Sequence, residues 1–137
     1  AALLDTFGRD VRVVTRSGSG LVEAVERGEL DTPATRALVE SHVAPLIAEG
    51  ADVIVLGCTH YPFLRPLIEQ VAGAAISVID TGDSVARQLV RKLDAAGLRR
   101  SQHAGNERFW SSAPPAAAHD VVRRLWRGEA RIDALPL

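Results

Sequence analysis

Cys58, Thr59 and His60 are consecutive residues that could perform acid–base chemistry on a small acidic molecule. A thiolate is a strong nucleophile that can also accept a proton, and a threonine hydroxyl can hold a carboxylate oxygen. An imidazole two residues from the thiol could donate a hydrogen bond, shuttle a proton or hold one tautomer. Because Cys58 is the only cysteine in the chain, any thiol chemistry must occur at this position.

The sequence around these residues predicts the end of a strand followed by a helix. DVIVLG (52–57) is nearly continuous in apolar residues, so we predict a strand covered on both faces in a parallel sheet. The next helix is predicted to begin near Phe63, because Pro66 is tolerated in the first turn. Ligands bind beyond the carboxyl ends of parallel strands, and a helix N-terminus there favours an anion or a thiolate.

A second strand end repeats this arrangement. ISVID (76–80) is predicted as a strand, and TGDSVARQLVRKLDAAG (81–97) as a helix, so Thr81 and Gly82 open a helix directly after a strand. The remaining predicted elements alternate in the same way. The strands are VRVV (11–14), RFWSS (108–112) and ARIDALPL (130–137); the helices are 1–8, 21–28, 31–50 and 114–126. We therefore predict an α/β fold with a mainly parallel sheet flanked by helices.

Composition excludes several classes of function. The chain has 137 residues, 24% of them charged, and a net charge of -1 with no polybasic run, which argues against nucleic acid as a partner. No apolar stretch reaches the ~18 residues that a membrane span needs. A single cysteine excludes an internal disulfide and suits a reducing cytoplasm.

Each candidate residue also has a purely structural interpretation. Cys58 could be a small buried residue at the end of a strand. His42, in the middle of a predicted helix, is interpreted as a surface histidine or one with a satisfied hydrogen bond. Glu26 closes a short helix, where a solvated carboxylate is the default. A metal site at Cys58 and His60 lacks ligands, since structural zinc needs four and catalytic zinc three.

Taken together, LGCTHYPFLRPLI (56–68) resembles the second cysteine motif of the glutamate racemase family. The segments before and after it, 20–39 and 78–89, also resemble that family, as does the C-terminal pattern RFWSSAPP…VVRRLW. In related aspartate racemases the position of His60 is usually Glu, so the match favours the glutamate enzymes. The resemblance covers the C-terminal half of the family's length.

The resemblance implies interconversion of L- and D-glutamate by proton transfer without a cofactor, for peptidoglycan synthesis in the bacterial cytoplasm. In the family a cysteine from each of two pseudo-symmetric α/β domains acts on one face of the substrate. Cys58 matches the second cysteine, Thr59 a residue that binds a substrate carboxylate, His60 the partner of the thiol and Glu26 an acidic site residue. The N-terminal half of the enzyme is a further implied partner, and a homodimer stays open from the sequence.

The chain also departs from the family. Its N-terminal motifs, with the first catalytic cysteine, do not occur here, and the chain lacks methionine, so we expect a fragment that is inactive alone. Gly18 and Ser19 stand where the family commonly has Cys-Pro. Residues 1–98 are expected to form an incomplete racemase domain. Residues 99–137 form a C-terminal segment that would pack on the absent domain, leaving its apolar residues without their usual partner surface: Phe109, Trp110, Leu125 and Trp126.

Two other functions remain open from the sequence. The chain could be a degenerate, non-catalytic module that binds an acidic metabolite or a partner protein. It could also be a racemase of the same superfamily that acts on aspartate or another acid. The intact sequence from Cys58 to His60 argues against long decay, and Tyr61-Pro62 after it argues against the wider superfamily.

Overall fold

The structure of the protein is a computed structural model. It describes residues 8, 10–100, 105, 107–126 and 129–136. The helix predicted for residues 1–8 lies outside this part of the chain, apart from Gly8. The helices are α1 (Leu21–Glu26), α2 (Pro33–Ala48), a short 3₁₀-helix (Tyr61–Leu64), α3 (Arg65–Ala72), α4 (Gly82–Ala95) and α5 (Pro115–Trp126). The strands are β1 (Val53–Leu56), β2 (Ser77–Asp80), β3 (Phe109–Ser111) and β4 (Ile132–Ala134).

Local sequence signals explain the ends of the main helices. Thr32 caps α2, since its Oγ1 accepts a hydrogen bond from the Thr35 backbone N–H at 3.1 Å. The chain turns out of α1 at Gly28, whose φ of 71° is open to glycine at little cost. The helix after the Cys58 segment begins as predicted near Phe63, first as a 3₁₀-helix, with Pro66 in the first turn of α3.

The main sheet pairs β1 with β2 in parallel, so the α/β class predicted from the sequence is confirmed. Helices α1, α2 and α3 pack on one face of this sheet and form the core. Its buried residues come from all five elements and the 3₁₀-helix: Leu21, Val25, Val39, Val43, Ile54, Leu56, Leu64, Leu67, Ile68 and Val78. This core fixes the carboxyl end of β1, from which the Cys58 segment leaves.

The prediction that β1 is covered on both faces is wrong for the described chain. Ile54 is 8% exposed whereas its neighbour Val55 is 60% exposed. Because successive side chains of a strand point to opposite faces, only the face toward α2 and α3 is covered. Ile79 of β2 is exposed in the same way as Val55, so the uncovered face is continuous across both strands.

The strand predicted at residues 11–14 is also wrong. Those residues have no regular secondary structure, and β1 is bonded to β2 alone within the described chain. Side chains hold the segment instead: Arg12 donates to the Glu49 backbone carbonyl at 2.8 Å, and Arg16 pairs with the Glu49 carboxylate. β-branched residues favoured a strand locally, but a strand also needs a partner edge, and no described strand pairs with this segment.

The C-terminal segment forms a second small parallel pair, β3 with β4, beside α5. Phe109 and Trp126 meet edge to face, with ring centroids 5.2 Å apart. Leu125 is partly buried against the main core, whereas Trp110 and Trp126 remain about half exposed. Among the described residues, no helix is both long and apolar enough to cross a membrane.

Candidate active site

The Cys58 turn (residues 57–60) connects β1 to the 3₁₀-helix. The Tyr61 backbone N–H donates to the Cys58 carbonyl at 3.2 Å, and the Phe63 N–H donates to the His60 carbonyl at 3.1 Å. Leu64, the last residue of the 3₁₀-helix that follows this turn, is completely buried, so the core anchors the chain beyond the turn. The turn therefore displays the thiol from a position fixed on both sides, by β1 and by Leu64.

The structure brings the three catalytic candidates into a line. Cys58 Sγ lies 3.7 Å from His60 Nδ1, and His60 Nε2 lies 3.5 Å from Glu26 Oε1. Cys58 and His60 are half-buried, and Glu26 is mostly exposed at the end of α1. Such a line offers a path for a proton from the thiol to Nδ1, with the Glu26 carboxylate beside the other ring nitrogen.

Thr59 is exposed at the same turn, directly beside Cys58. Its hydroxyl can therefore meet a ligand that approaches the carboxyl end of β1. Thr81, in the turn after β2, is likewise exposed. Since β1 and β2 are parallel neighbours, both turns leave the same edge of the sheet, as the sequence predicted.

The role of Asp80 at this edge was missed by the sequence analysis. Its Oδ1 accepts the Gly82 backbone N–H at 2.8 Å, and its Oδ2 accepts from Arg65 Nη1 at 3.1 Å. Arg65 also donates from Nε to Glu69 at 2.7 Å, and this bond, with Asp80 adding to it, raises the pKa of Arg65. An acidic residue two positions before a helix start was the available signal, but its arginine partner is a tertiary contact.

Gly18 is explained by Tyr61. A Cβ atom on Gly18 would lie 2.8 Å from Tyr61 Cζ and 2.9 Å from Leu21 Cδ1, so the tyrosine ring occupies the space of a side chain. The Tyr61 hydroxyl points at the Gly18 carbonyl at 3.5 Å. At Gly18, where the family commonly has the cysteine of a Cys-Pro pair, this chain thus has no side chain, and the Tyr61 ring packs closely in its place.

His42 packs on the same loop. Its Nε2 lies 2.9 Å from the Ser19 carbonyl, which confirms the interpretation of a satisfied histidine. A cavity of about 90 Å³ lies between this loop and the core, and aliphatic side chains form most of its lining. Within the described part of the chain, no three His, Cys, Asp or Glu residues are grouped to hold a metal ion.

Comparisons with known proteins agree on one family. The family model described as Asp/Glu/Hydantoin racemase matches residues 2–89. A glutamate racemase from Pseudomonas entomophila is 46% identical over 137 residues, which is 100% of this chain and 52% of that protein. The chain thus spans about half the length of the curated relatives it matches.

Solved structures show the same fold. A glutamate racemase isoform from Bacillus anthracis superimposes with a TM-score of 0.86 at 24% identity, covering 99% of this chain and 51% of that one. A glutamate racemase from Francisella tularensis, solved in complex with D-glutamate, gives a TM-score of 0.83 at 16% identity and covers 98% and 51%. At these identities the likeness concerns the fold.

Proposed function

Since this chain belongs to the Asp/Glu/hydantoin racemase family, we propose that it provides one of the two acid–base faces of a glutamate racemase. The observation that carries the proposal is the line from Cys58 through His60 to Glu26, at 3.7 and 3.5 Å. The name shared by its relatives supports glutamate as the substrate. The D-glutamate bound to a protein of the same fold supports it too.

The proposed reaction moves one proton at the α-carbon. The Cys58 thiolate takes the α-proton, and the electron pair of the broken C–H bond passes into the adjacent carboxylate system. A thiol on the opposite face then donates a proton to the same carbon, which inverts its configuration. In the reverse direction the Cys58 thiol is the donor. Thr59 holds a substrate carboxylate, His60 stabilises the thiolate, and Glu26 stabilises the imidazolium.

The second thiol must come from outside these residues, because the chain contains one cysteine. We propose that it belongs to a companion half, equivalent to the part of the Pseudomonas relative that the chain does not match. The division into a racemase domain (1–98) and a C-terminal segment (99–137) is part of this proposal. So are a bacterial cytoplasmic location and a second copy as partner, the latter testable by sedimentation.

Alkylation of the single thiol tests the role of His60. His60→Gln should slow the reaction of the folded chain with iodoacetamide at neutral pH, and Glu26→Gln should slow it less, because each removes a member of the line that begins at the thiol. His42→Gln is the matched control and should leave the rate unchanged. A rate that does not respond to His60→Gln would contradict the proposal.

Racemisation tests the function itself. We expect the 137-residue polypeptide alone to leave the circular dichroism of L- or D-glutamate unchanged. Mixing it with the companion half of the Pseudomonas relative should produce loss of signal that Cys58→Ser abolishes. A complex that forms but never racemises glutamate would favour the degenerate module, and activity on aspartate alone would favour another member of the superfamily.

A further inference from the structure

Asp80 lies at the junction of the two turns that leave the sheet edge. It is the last residue of β2 and pairs in register with Leu56, the last residue of β1. Thr81 therefore follows β2 at the edge where Gly57 and Cys58 follow β1. The turn after β2 and the Cys58 turn leave the sheet at neighbouring positions.

The Asp80 carboxylate is committed on both oxygens. The Gly82 N–H and the Arg65 guanidinium each donate to a different oxygen, at 2.8 and 3.1 Å, and the side chain is 16% exposed. Thr81 occupies the N-cap position of α4, but its side chain makes no capping bond. Asp80 therefore supplies the cap that Thr81 does not.

The helix that Asp80 caps has little else to hold its start. α4 contributes no buried residue, so burial does not fix its position. Arg65, by contrast, is the first residue of α3. The buried side chains of Leu64, just before Arg65, and Leu67, two residues after it, anchor this end of the helix. The Asp80 carboxylate thus ties the unanchored start of α4 to the anchored start of α3.

We infer that Asp80 is a positioning residue for the substrate, one that holds the turn after β2 against the Cys58 turn. This inference rests on the proposed function, since the substrate is the acidic molecule that Cys58 and Thr59 receive. With the tie intact, the start of α4 is held at the edge where β1 and β2 end, and the positive end of its dipole adds to the attraction for a carboxylate beside Asp83, the acidic residue of its first turn.

Two alkylating reagents that differ in charge measure this attraction at Cys58. Iodoacetate carries a carboxylate and iodoacetamide does not, and both react only with the thiolate. The ratio of their rates is therefore independent of the thiolate fraction. For the wild-type chain we expect this ratio to be about two- to fivefold higher in the folded state than in urea, the range of helix-end interactions with an anion.

Substitutions of Asp80 separate position from charge. Asp80→Glu keeps the charge but displaces the carboxylate, and Asp80→Asn removes the charge. Both should return the folded ratio toward the value in urea, a fall of about two- to fivefold. If charge alone mattered, Asp80→Asn would instead raise the ratio, and Asp80→Glu would not change it. Glu69→Gln removes the other carboxylate of Arg65 without loosening the tie, and should not lower the ratio.

The outcomes distinguish the inference from the proposed function. A wild-type ratio equal in the folded chain and in urea would overturn anion attraction at Cys58, and the inference with it. A raised wild-type ratio that both Asp80 variants preserve would overturn the inference alone. Thermal melts of each variant accompany the rates, and Asp80→Glu provides the result if Asp80→Asn does not fold.

Discussion

The inner helices, α1 to α3, differ from the outer helices, α4 and α5, in what their apolar residues contact. Every inner helix contributes buried residues to the core on one face of the sheet, whereas neither outer helix contributes any. Leu64, just before α3, is completely buried, and Leu89 of α4 is 58% exposed. An apolar stripe on a helix predicts a buried face only where a second surface lies against it.

The candidate site belongs to the inner part of the molecule. Glu26 ends α1, and Cys58 and His60 lie between β1 and α3. The outer part adjoins the site at two places: the start of α4, which Asp80 holds, and α5, whose Arg124 side chain lies beside Gly28, two residues after Glu26. The residues proposed to move protons are therefore the ones that the core fixes, and the uncovered apolar faces lie elsewhere.

Cavity formation is expected to give the largest difference between the two groups of helices. Leu64→Ala should lower the free energy of unfolding by about 2–5 kcal/mol, because it removes a completely buried side chain. Leu89→Ala on α4 should change it by no more than about 0.5 kcal/mol. Urea denaturation followed by circular dichroism measures both. Equal losses would mean that α4 is packed against a surface in solution.

Adding a methyl group should destabilise the protein where the inner part is closely packed and have little effect where space is open. Gly18→Ala should lower the free energy of unfolding by about 1–3 kcal/mol, because the new methyl group meets the Tyr61 ring and Leu21. Gly57→Ala is the control: a Cβ there has nothing within 4 Å, and we expect a change of about 0.5 kcal/mol or less. The same urea titrations apply. A harmless Gly18→Ala would show that the Tyr61 ring moves freely.

Helix caps give a smaller contrast. Thr32→Ala should lower the free energy of unfolding by about 1 kcal/mol, because its hydroxyl caps the inner helix α2. Thr81→Ala, at the equivalent position of the outer helix α4, should have almost no effect, since its side chain makes no capping bond. Thermal melts of the two variants test the pair, and the reverse order would contradict this assignment of caps.

The smallest effect concerns a surface ion pair. A hydrogen bond from Arg27 lowers the pKa of Glu29, which lies just after α1. The pair therefore stabilises the fold at pH values above the pKa that Glu29 has in the unfolded chain. This contribution is lost as the pH falls through the pKa that Glu29 has in the folded chain. Arg27→Gln should lower Tm by about 1 °C or less at neutral pH and not at acid pH. Arg99→Gln, which removes a similar pair beyond α4, should not change Tm.

Several parts of this structure were predictable because they depend on neighbouring residues. Two candidate caps, Asp31 and Thr32, with Pro33 after them predicted the start of α2, and the structure shows that Thr32 is the cap. The turn at Gly28 predicted the end of α1. The apolar runs before Cys58 and before Thr81 marked β1 and β2. Each of these signals comes from residues within one turn or one strand, so it can be read directly from the sequence.

The failures share a different cause. Residues 11–14 have strand-forming side chains, but a strand also needs a partner edge, and arginine contacts to Glu49 held the segment instead. Val55 was predicted to be buried because it lies in a run of apolar residues. Such a run shows that both faces of a strand can be buried, but it does not show that helices or other elements pack on both faces.

The sequence by itself determined the α/β class and placed Cys58, Thr59 and His60 at a strand end, because these features follow from local periodicity and adjacency. Only the tertiary structure decided that the carboxylate of Glu26 lies 3.5 Å from His60. It alone decided that Asp80 joins the starts of α3 and α4 through Arg65 and Gly82. Such contacts join residues far apart in the chain, and their distances are fixed by how the core packs the helices against the sheet.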